Sequence, residues 1–420
     1  MSRIRIEGPV RLAGEVTVRG AKNASLPIVI ASGVAGAPIT LENVPTHLKD
    51  IGVAIDALRH VGCDVSLSDG CVQMNRAEIT QSALPVEIAG KFRYSLLFLG
   101  LLTGRCGHAK LSMPGGCSLG ERKFDLHLAG LRKLGARVEE TADGVEVWAD
   151  KLIGADVEFY LPTTSGTENV MLAACFAQGR TRIFNANTRP EIADLGRFLT
   201  ALGASVSVRN RVVEIEGPAK FGGATYSIMP GWDEALTYMM AAGMTGGEIC
   251  VRNFALDHVQ HDAAYLRQAG LDVFEWRGNV YVSGREKSLR AFDLFTAPYP
   301  GVNSDMQPLF ATLASQCHGE STITDQRFTE RFQYVKELRK LGMDIDSYGN
   351  CAVVRGPTKL RGASATALDL RCGAALVLAG LAADGVTEID NCYQIDRGYE
   401  EIEKRLSGLG ADVTRLESPD

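Results

Sequence analysis

The sequence predicts an α/β protein built from six repeats of about 70 residues grouped into two halves. Three observations carry this. First, an amphipathic stretch ending in L-x-x-(L/V/A)-G-x-x-(V/I) recurs with its glycine at Gly62, Gly135, Gly203, Gly270, Gly342 and Gly410, at intervals of 73, 68, 67, 72 and 68 residues. Second, an almost wholly apolar stretch lies upstream of each of these from the second unit on, and one opens the first unit. Third, G-P-x-x-x-x-G occurs at Gly8–Gly14, Gly217–Gly223 and Gly356–Gly362, each time before a strand.

Each repeated glycine reads as the C-cap of a helix that runs on into a strand. Phe332–Gly342 and Tyr399–Gly410 show the pattern, with charges on one face and apolar residues on the other. The second helix of each unit is different. Leu26–Val34, Leu96–Leu102, Val170–Ala177, Tyr238–Met244, Leu309–Ser315 and Ala374–Ala383 are apolar or small on every side, which places them at the centre of a domain. Short β-rich segments follow, including Thr181–Phe184, Glu248–Val251 and Thr322–Thr324. The first G-P motif precedes every helix, while the last unit ends near Val413 without a partner strand. The N-terminal strands are therefore expected to complete the C-terminal half. The expected domains are 22–230 and 1–21 plus 231–420, because six units exceed what one core holds.

Composition narrows the function. The chain carries 44 basic and 50 acidic residues, a net charge of −6, which argues against nucleic acid or a membrane surface as partner. Glycine is abundant, 45 of 420 residues against about 7% in ordinary proteins, yet it forms neither a triplet repeat nor low-complexity runs. The ten cysteines show no C-x-x-C pair and no zinc spacing, so no metal is expected. They read mostly as buried reduced thiols of a cytoplasmic protein, and no apolar stretch is long enough to span a bilayer.

A polar cluster stands before each apolar helix: Lys22-Asn23-Ala24-Ser25, Lys91 to Ser95 with Arg93, Thr164 to Asn169, Trp232-Asp233-Glu234, Asn303-Ser304-Asp305 and Asp369-Leu370-Arg371. Helix N-termini expose N–H groups and the positive end of the dipole. Six such ends, three from each half, predict a cleft for a phosphorylated or carboxylated ligand, with the reaction unspecified. Ser165 and Glu168 fit a capping box. The loop Met113-Pro114-Gly115-Gly116-Cys117 cannot continue a helix, and Arg122 follows five residues later. That setting leaves open both a packing role and an activated thiol for Cys117. His127 reads as a partly buried helix residue, and Glu400-Glu401-Ile402-Glu403 as a solvated helix face.

These clusters, with Pro114-Gly115-Gly116-Cys117, Thr167-Glu168-Asn169, Pro298-Tyr299-Pro300-Gly301, Ser304-Asp305-Met306-Gln307 and Ile395-Asp396-Arg397-Gly398-Tyr399-Glu400, resemble the UDP-N-acetylglucosamine 1-carboxyvinyltransferase family of enolpyruvyl transferases. The resemblance spans essentially the full length. It implies the two-domain inside-out α/β barrel of that family and a cofactor-free reaction of peptidoglycan synthesis. Phosphoenolpyruvate and a uridine nucleotide sugar are then the partners, joined at the sugar 3′-hydroxyl through a tetrahedral ketal with release of phosphate.

The same resemblance implies roles. Cys117 is the loop acid and the residue alkylated by fosfomycin, Asp305 accepts the hydroxyl proton, and Asp369 lies near the methyl group of the intermediate. Lys22, Arg122 and Arg397 hold phosphoenolpyruvate, with Arg331 and Arg371 nearby. Asn23 and Arg93 match positions near the sugar nucleotide, and Asp125 and Ser165 fall in the acceptor-binding segments. Those segments depart from the family pattern at 122–124, 162–166, 231–236 and 302–304. Gly231-Trp232-Asp233-Glu234-Ala235-Leu236 stands where the family usually has D-R-I-E-(A/T)-G. Enolpyruvyl transfer to another uridine nucleotide, such as uridine monophosphate in nucleoside-antibiotic synthesis, is the alternative. The G-D-K-S-(I/L)-S-H-R opening of the shikimate-pathway relatives is absent. A non-catalytic ligand-binding descendant is disfavoured because Cys117, Asp305 and Arg397 are all present.

Overall fold

The computed structural model describes residues 2–115, 124–285, 288–328 and 331–416. The described residues form two compact units, one of 2–18 with 230–416 and the other of 19–115 with 124–229. Cys117 and Arg122 lie outside the described residues.

The repeat glycine has a backbone reason. The amphipathic helices Lys49–His60, Asp125–Lys133, Pro190–Ala201, Gln260–Gln268, Tyr334–Lys340 and Ile402–Gly408 each run into it. All six glycines have φ between 85° and 108°, a region that a side chain disfavours. In five repeats the amide after the glycine returns to the carbonyl five residues back, as Ala136 does to Leu131 and Ala204 to Leu199. This closes the helix and turns the chain into the next strand.

The apolar helices occupy the centre of each unit. One unit holds Lys22–Ala31, Leu97–Cys106 and Thr164–Ala174. The other holds Trp232–Met244, Gln307–Ala314 and Leu370–Ala382, packed pairwise. Every residue of Trp232–Met244 is buried. Small residues let the axes approach: a Cβ on Gly100 would lie 2.3 Å from the Asn169 carbonyl oxygen, and the Gly100 amide donates to Asn169 Oδ1 at 2.8 Å.

Six four-stranded sheets lie outside these helices. Gly179–Phe184 is typical: parallel to Asp156–Glu158 on one side, antiparallel to Val212–Gly217 on the other, with Ser205–Arg209 at the edge. Alternate strand residues face the core, as the burial of Ile4 and Ile6 shows. With helices inside and open sheets outside, the architecture is the inside-out α/β fold. Arg3–Gly8 pairs between Gly385–Asp390 and Asp412–Leu416, and Ala13–Thr17 runs parallel to Glu248–Arg252. In the other unit Ala224–Ser227 joins Ile39–Glu42. The glycines that open the three G-P motifs each press on the end of a central helix. A Cβ on Gly8, Gly217 or Gly356 would meet the carbonyl oxygens of Ala383, Ala177 and Cys317, just past the helix ends, at 2.6, 2.5 and 2.5 Å.

Several local expectations are corrected. The polar clusters lie largely within the first helical turns rather than before them, since one helix already starts at Lys22 and another at Trp232. The Ser165–Glu168 capping box does not form: Thr163 is the N-cap, its Oγ1 accepting from the Gly166 amide at 3.3 Å, while Glu168 is wholly buried. The acidic run at 400–403 is not a solvated face. Glu401 has φ +50° and starts the helix only at Ile402, and Glu400 is buried against Arg405 at 3.3 Å while Glu403 pairs with Arg415 at 2.8 Å. Nor are the central helix ends uniformly electropositive, because Trp232–Met244 carries Asp233 and Glu234 in its first turn. Six of the nine described cysteines are buried and all nine are thiols. No helix among the described residues is long and apolar enough to cross a membrane.

Candidate active site

In the unit built on residues 230–416, three of the expected site residues meet. Asp305 sits on a single 3₁₀ turn, Ser304–Met306, capped by Asn303, whose Oδ1 accepts from the Asp305 amide at 3.2 Å. Its Oδ1 lies 2.7 Å from Arg331 Nη2 and its Oδ2 lies 3.4 Å from Arg371 Nη2. The Asp305 side chain keeps 29% of its surface exposed, against 6% for Arg331 and 4% for Arg371. A carboxylate reachable from solvent is thus backed by two buried guanidinium groups. Nε and Nη1 of Arg331 and Nε of Arg371 meet no acceptor among the described residues. Buried donors left in this way are costly, a cost that an anion accepting from them would offset.

Asp325 aligns this cluster. It is fully buried, accepts from the Ser304 hydroxyl and from Thr296 Oγ1 at 3.1 Å, and caps the amides of Arg327 and Phe328 at 2.9 and 3.1 Å. Gln307 Nε2 bridges Asp325 Oδ2 and the Arg331 carbonyl, both at 3.4 Å. One carboxylate therefore ties the turn carrying Asp305 to the segment carrying Arg331.

Arg371 has further partners. Its Nη2 lies 2.5 Å from Asp233 Oδ2 and its Nη1 donates to the Tyr399 hydroxyl at 3.1 Å. Burial opposes its charge, but Asp233, Tyr399 and Asp305 overrule that and hold the guanidinium well above its usual value. Beside it, burial pushes the Glu234 carboxyl up to about 7, against the pull of Arg405 and the Tyr238 hydroxyl. Asp369 is the N-cap of Leu370–Ala382: its Oδ1 accepts from the Arg371 and Cys372 amides at 2.8 and 2.9 Å. Arg397 Nη1 donates to Gln394 Oε1 at 3.4 Å.

The other unit holds the remaining described residues. Lys22 Nζ pairs with Asp50 Oδ2 at 2.7 Å, Lys22 lying at the start of a central helix and Asp50 in the first turn of Lys49–His60. The Asn23 carbonyl accepts from the Tyr94 hydroxyl at 3.5 Å, which brings the Arg93 segment to this helix. His127 is buried on Asp125–Lys133, with Nε2 3.0 Å from Ser165 Oγ. Burial, and then the charge of Arg93, lower its pKa to about 3, so the imidazole is neutral and the expectation of partial burial understates its enclosure. Asp125 is exposed and accepts from the Tyr160 hydroxyl at 2.9 Å. Burial, and then the neighbouring Glu191, push Glu168 well above the usual carboxylate range. No group of metal-ligating side chains occurs among the described residues.

Asp50, Asp233, Asp325 and Tyr399 are parts of these clusters to which sequence reasoning gave no role. Asp233 stood in the polar cluster Trp232-Asp233-Glu234 and Tyr399 in the motif Ile395–Glu400, whereas Asp50 and Asp325 gave no signal.

Fold and site together define an enolpyruvyl transferase. The family model described as EPSP synthase (3-phosphoshikimate 1-carboxyvinyltransferase) matches residues 6–406. The enolpyruvyl transferase NikO from Streptomyces tendae superposes with a TM-score of 0.90 at 25% identity, covering 100% of this chain and 99% of that one. EPSP synthase from Acinetobacter baumannii, at 17% identity and a TM-score of 0.78 over 99% and 100% of the two chains, shares the fold. Within this class the chain belongs to the UDP-N-acetylglucosamine 1-carboxyvinyltransferase family. It is 41% identical over 418 residues to the enzyme so named in Geotalea uraniireducens, covering 99% of this chain and 100% of the relative. The Trichlorobacter lovleyi relative of that name is also 41% identical, over the whole of both chains.

Proposed function

We propose that this chain is a cytoplasmic enzyme that transfers the enolpyruvyl group of phosphoenolpyruvate to the 3′-hydroxyl of UDP-N-acetylglucosamine and releases phosphate. The observation that carries the reading is Asp305, a part-exposed carboxylate backed by two buried arginines that retain donors without acceptors among the described residues. A base poised beside cationic groups suits an alcohol attacking an anionic substrate.

In the first step C3 of phosphoenolpyruvate gains a proton from Cys117, and the acceptor hydroxyl oxygen bonds to C2 as Asp305 takes its proton. The product is a tetrahedral ketal. In the second step the new methyl group loses a proton toward Asp369 as the C2–O bond to phosphate breaks and the double bond re-forms. In Asp369, Oδ1 serves the helix cap and Oδ2 lies outside it. Lys22, Arg122 and Arg397 bind the carboxylate and phosphate, supported by Arg331 and Arg371. Asn23, Arg93, Asp125 and Ser165 serve the acceptor, with His127 fixing the Ser165 hydroxyl.

The second reading, transfer to uridine monophosphate, draws on the full-length likeness to NikO. The identity of 41% to the UDP-N-acetylglucosamine enzymes against 25% to NikO favours the first. Phosphate release from phosphoenolpyruvate, measured with each acceptor alone and with both together, tests the choice. Release with UDP-N-acetylglucosamine, and a kcat/KM at least tenfold above that with uridine monophosphate, is expected. Release with uridine monophosphate alone would overturn it.

A further inference from the structure

Arg371 touches two carboxylates, and they are not equivalent. Asp233 Oδ2 holds its Nη2 at 2.5 Å, whereas Asp305 Oδ2 meets the same nitrogen at 3.4 Å. Asp233 is buried, its side chain 8% exposed, and its other oxygen accepts from the Glu234 amide at 3.1 Å, which fixes its rotamer on the first turn of Trp232–Met244. The Tyr399 hydroxyl accepts from Arg371 Nη1 at 3.1 Å and is 2.8 Å from Thr237 Oγ1, one turn further along the same helix. Asp233 on this helix, and Tyr399 tied to it through Thr237, thus hold the guanidinium beside the helix, closer to Asp233 than to Asp305.

We propose that Asp233 is a positioning residue for the transfer reaction: it binds Arg371 as its principal counter-ion and so preserves Asp305 as a base. The proposal rests on the reading of Asp305 given above. A carboxylate pinned between two guanidinium groups at full contact would be a poor proton acceptor, because each cation favours its charged form. Two arginines are instead shared by Asp305 and Asp233, with the buried Asp325 a third carboxylate behind the Ser304 turn. Tyr399 faces Arg371 as a neutral hydroxyl. Glu234, on the Asp233 side, is itself paired with Arg405 at 3.4 Å and Tyr238 at 2.9 Å. Asp233 stands in the 231–236 segment that departs from the family pattern.

The test is the titration of Asp305, followed by ¹³C NMR in protein carrying carboxyl-labelled aspartate, with Asp305→Asn used to assign the signal. In Asp233→Asn the uncompensated charge of Arg371 falls on Asp305, and its midpoint should drop by half a pH unit or more. Asp233→Glu keeps the charge and should titrate like the wild type. The acid limb of kcat/KM should move in the same direction in Asp233→Asn, with kcat lowered severalfold and KM for phosphoenolpyruvate not raised. A residue that only supports the fold would lower the active fraction without moving either midpoint. If Asp233→Asn lacks the wild-type circular dichroism spectrum, Asp233→Ser is read by the same criteria. An unchanged or raised Asp305 midpoint in the folded variant overturns the proposal. The NMR readout needs no turnover, so it stands apart from a failure of the wild type to release phosphate.

Discussion

Lys22 Nζ lies 2.7 Å from Asp50 Oδ2, and the two side chains are only 12% and 8% exposed. The lysine comes from the first turn of a central helix and the aspartate from the first turn of an amphipathic one. The cation proposed above to hold phosphoenolpyruvate is thus paired with an internal carboxylate. Removing one partner of a buried pair leaves the other uncompensated, so Asp50→Ala should cost ~3 kcal/mol in urea unfolding. Lys22 also loses its orientation, and KM for phosphoenolpyruvate should rise. A variant of wild-type stability and KM would show that the pair has neither role.

Asp305→Asn keeps the shape of the base and removes its proton affinity. Turnover should fall roughly 100- to 10,000-fold, with an unchanged circular dichroism spectrum. Near-normal phosphate release would remove Asp305 as the base.

His127 is neutral in the folded protein because burial and Arg93 lower its pKa to about 3. The unfolded chain takes up that proton near pH 6.5, so more protons are bound unfolded than folded between about 6.5 and 3. Stability associated with this group is complete above pH 6.5 and is lost at ~1.4 kcal/mol per pH unit as the pH falls. His127→Gln should flatten that part of the unfolding profile measured at pH 7, 6, 5 and 4. A profile with the wild-type slope would mean that the histidine is protonated in place.

Cys117→Asp should retain measurable transfer and escape fosfomycin, since a carboxylic acid protonates carbon but is the poorer nucleophile. Full inhibition of that variant by fosfomycin would refute Cys117 as the alkylated residue.

The repeat was legible in the sequence because it depends on local physics. A helix that turns into a strand through a left-handed residue selects glycine, and the choice recurs at Gly62 and five equivalent positions. The central helices were legible because they are apolar all round. Pairings across repeats were not. Asp233 and Arg371 are 138 residues apart and Asp305 and Arg371 are 66 apart, and nothing in the local pattern of either acid names its partner. Local readings failed where several residues compete for one role. Thr163, Thr164 and Ser165 are all able to cap, and Thr163 does so. At 400–403 the left-handed backbone of Glu401 interrupts the helix, turning Glu400 inward against Arg405.

The most direct measurement follows phosphoenolpyruvate and UDP-N-acetylglucosamine with the enzyme by ¹H and ³¹P NMR. The expected spectrum shows new vinyl protons on the sugar nucleotide at its 3′-oxygen, with one inorganic phosphate for each molecule formed. Unchanged phosphoenolpyruvate, or its hydrolysis to pyruvate beside intact UDP-N-acetylglucosamine, would contradict enolpyruvyl transfer to this acceptor.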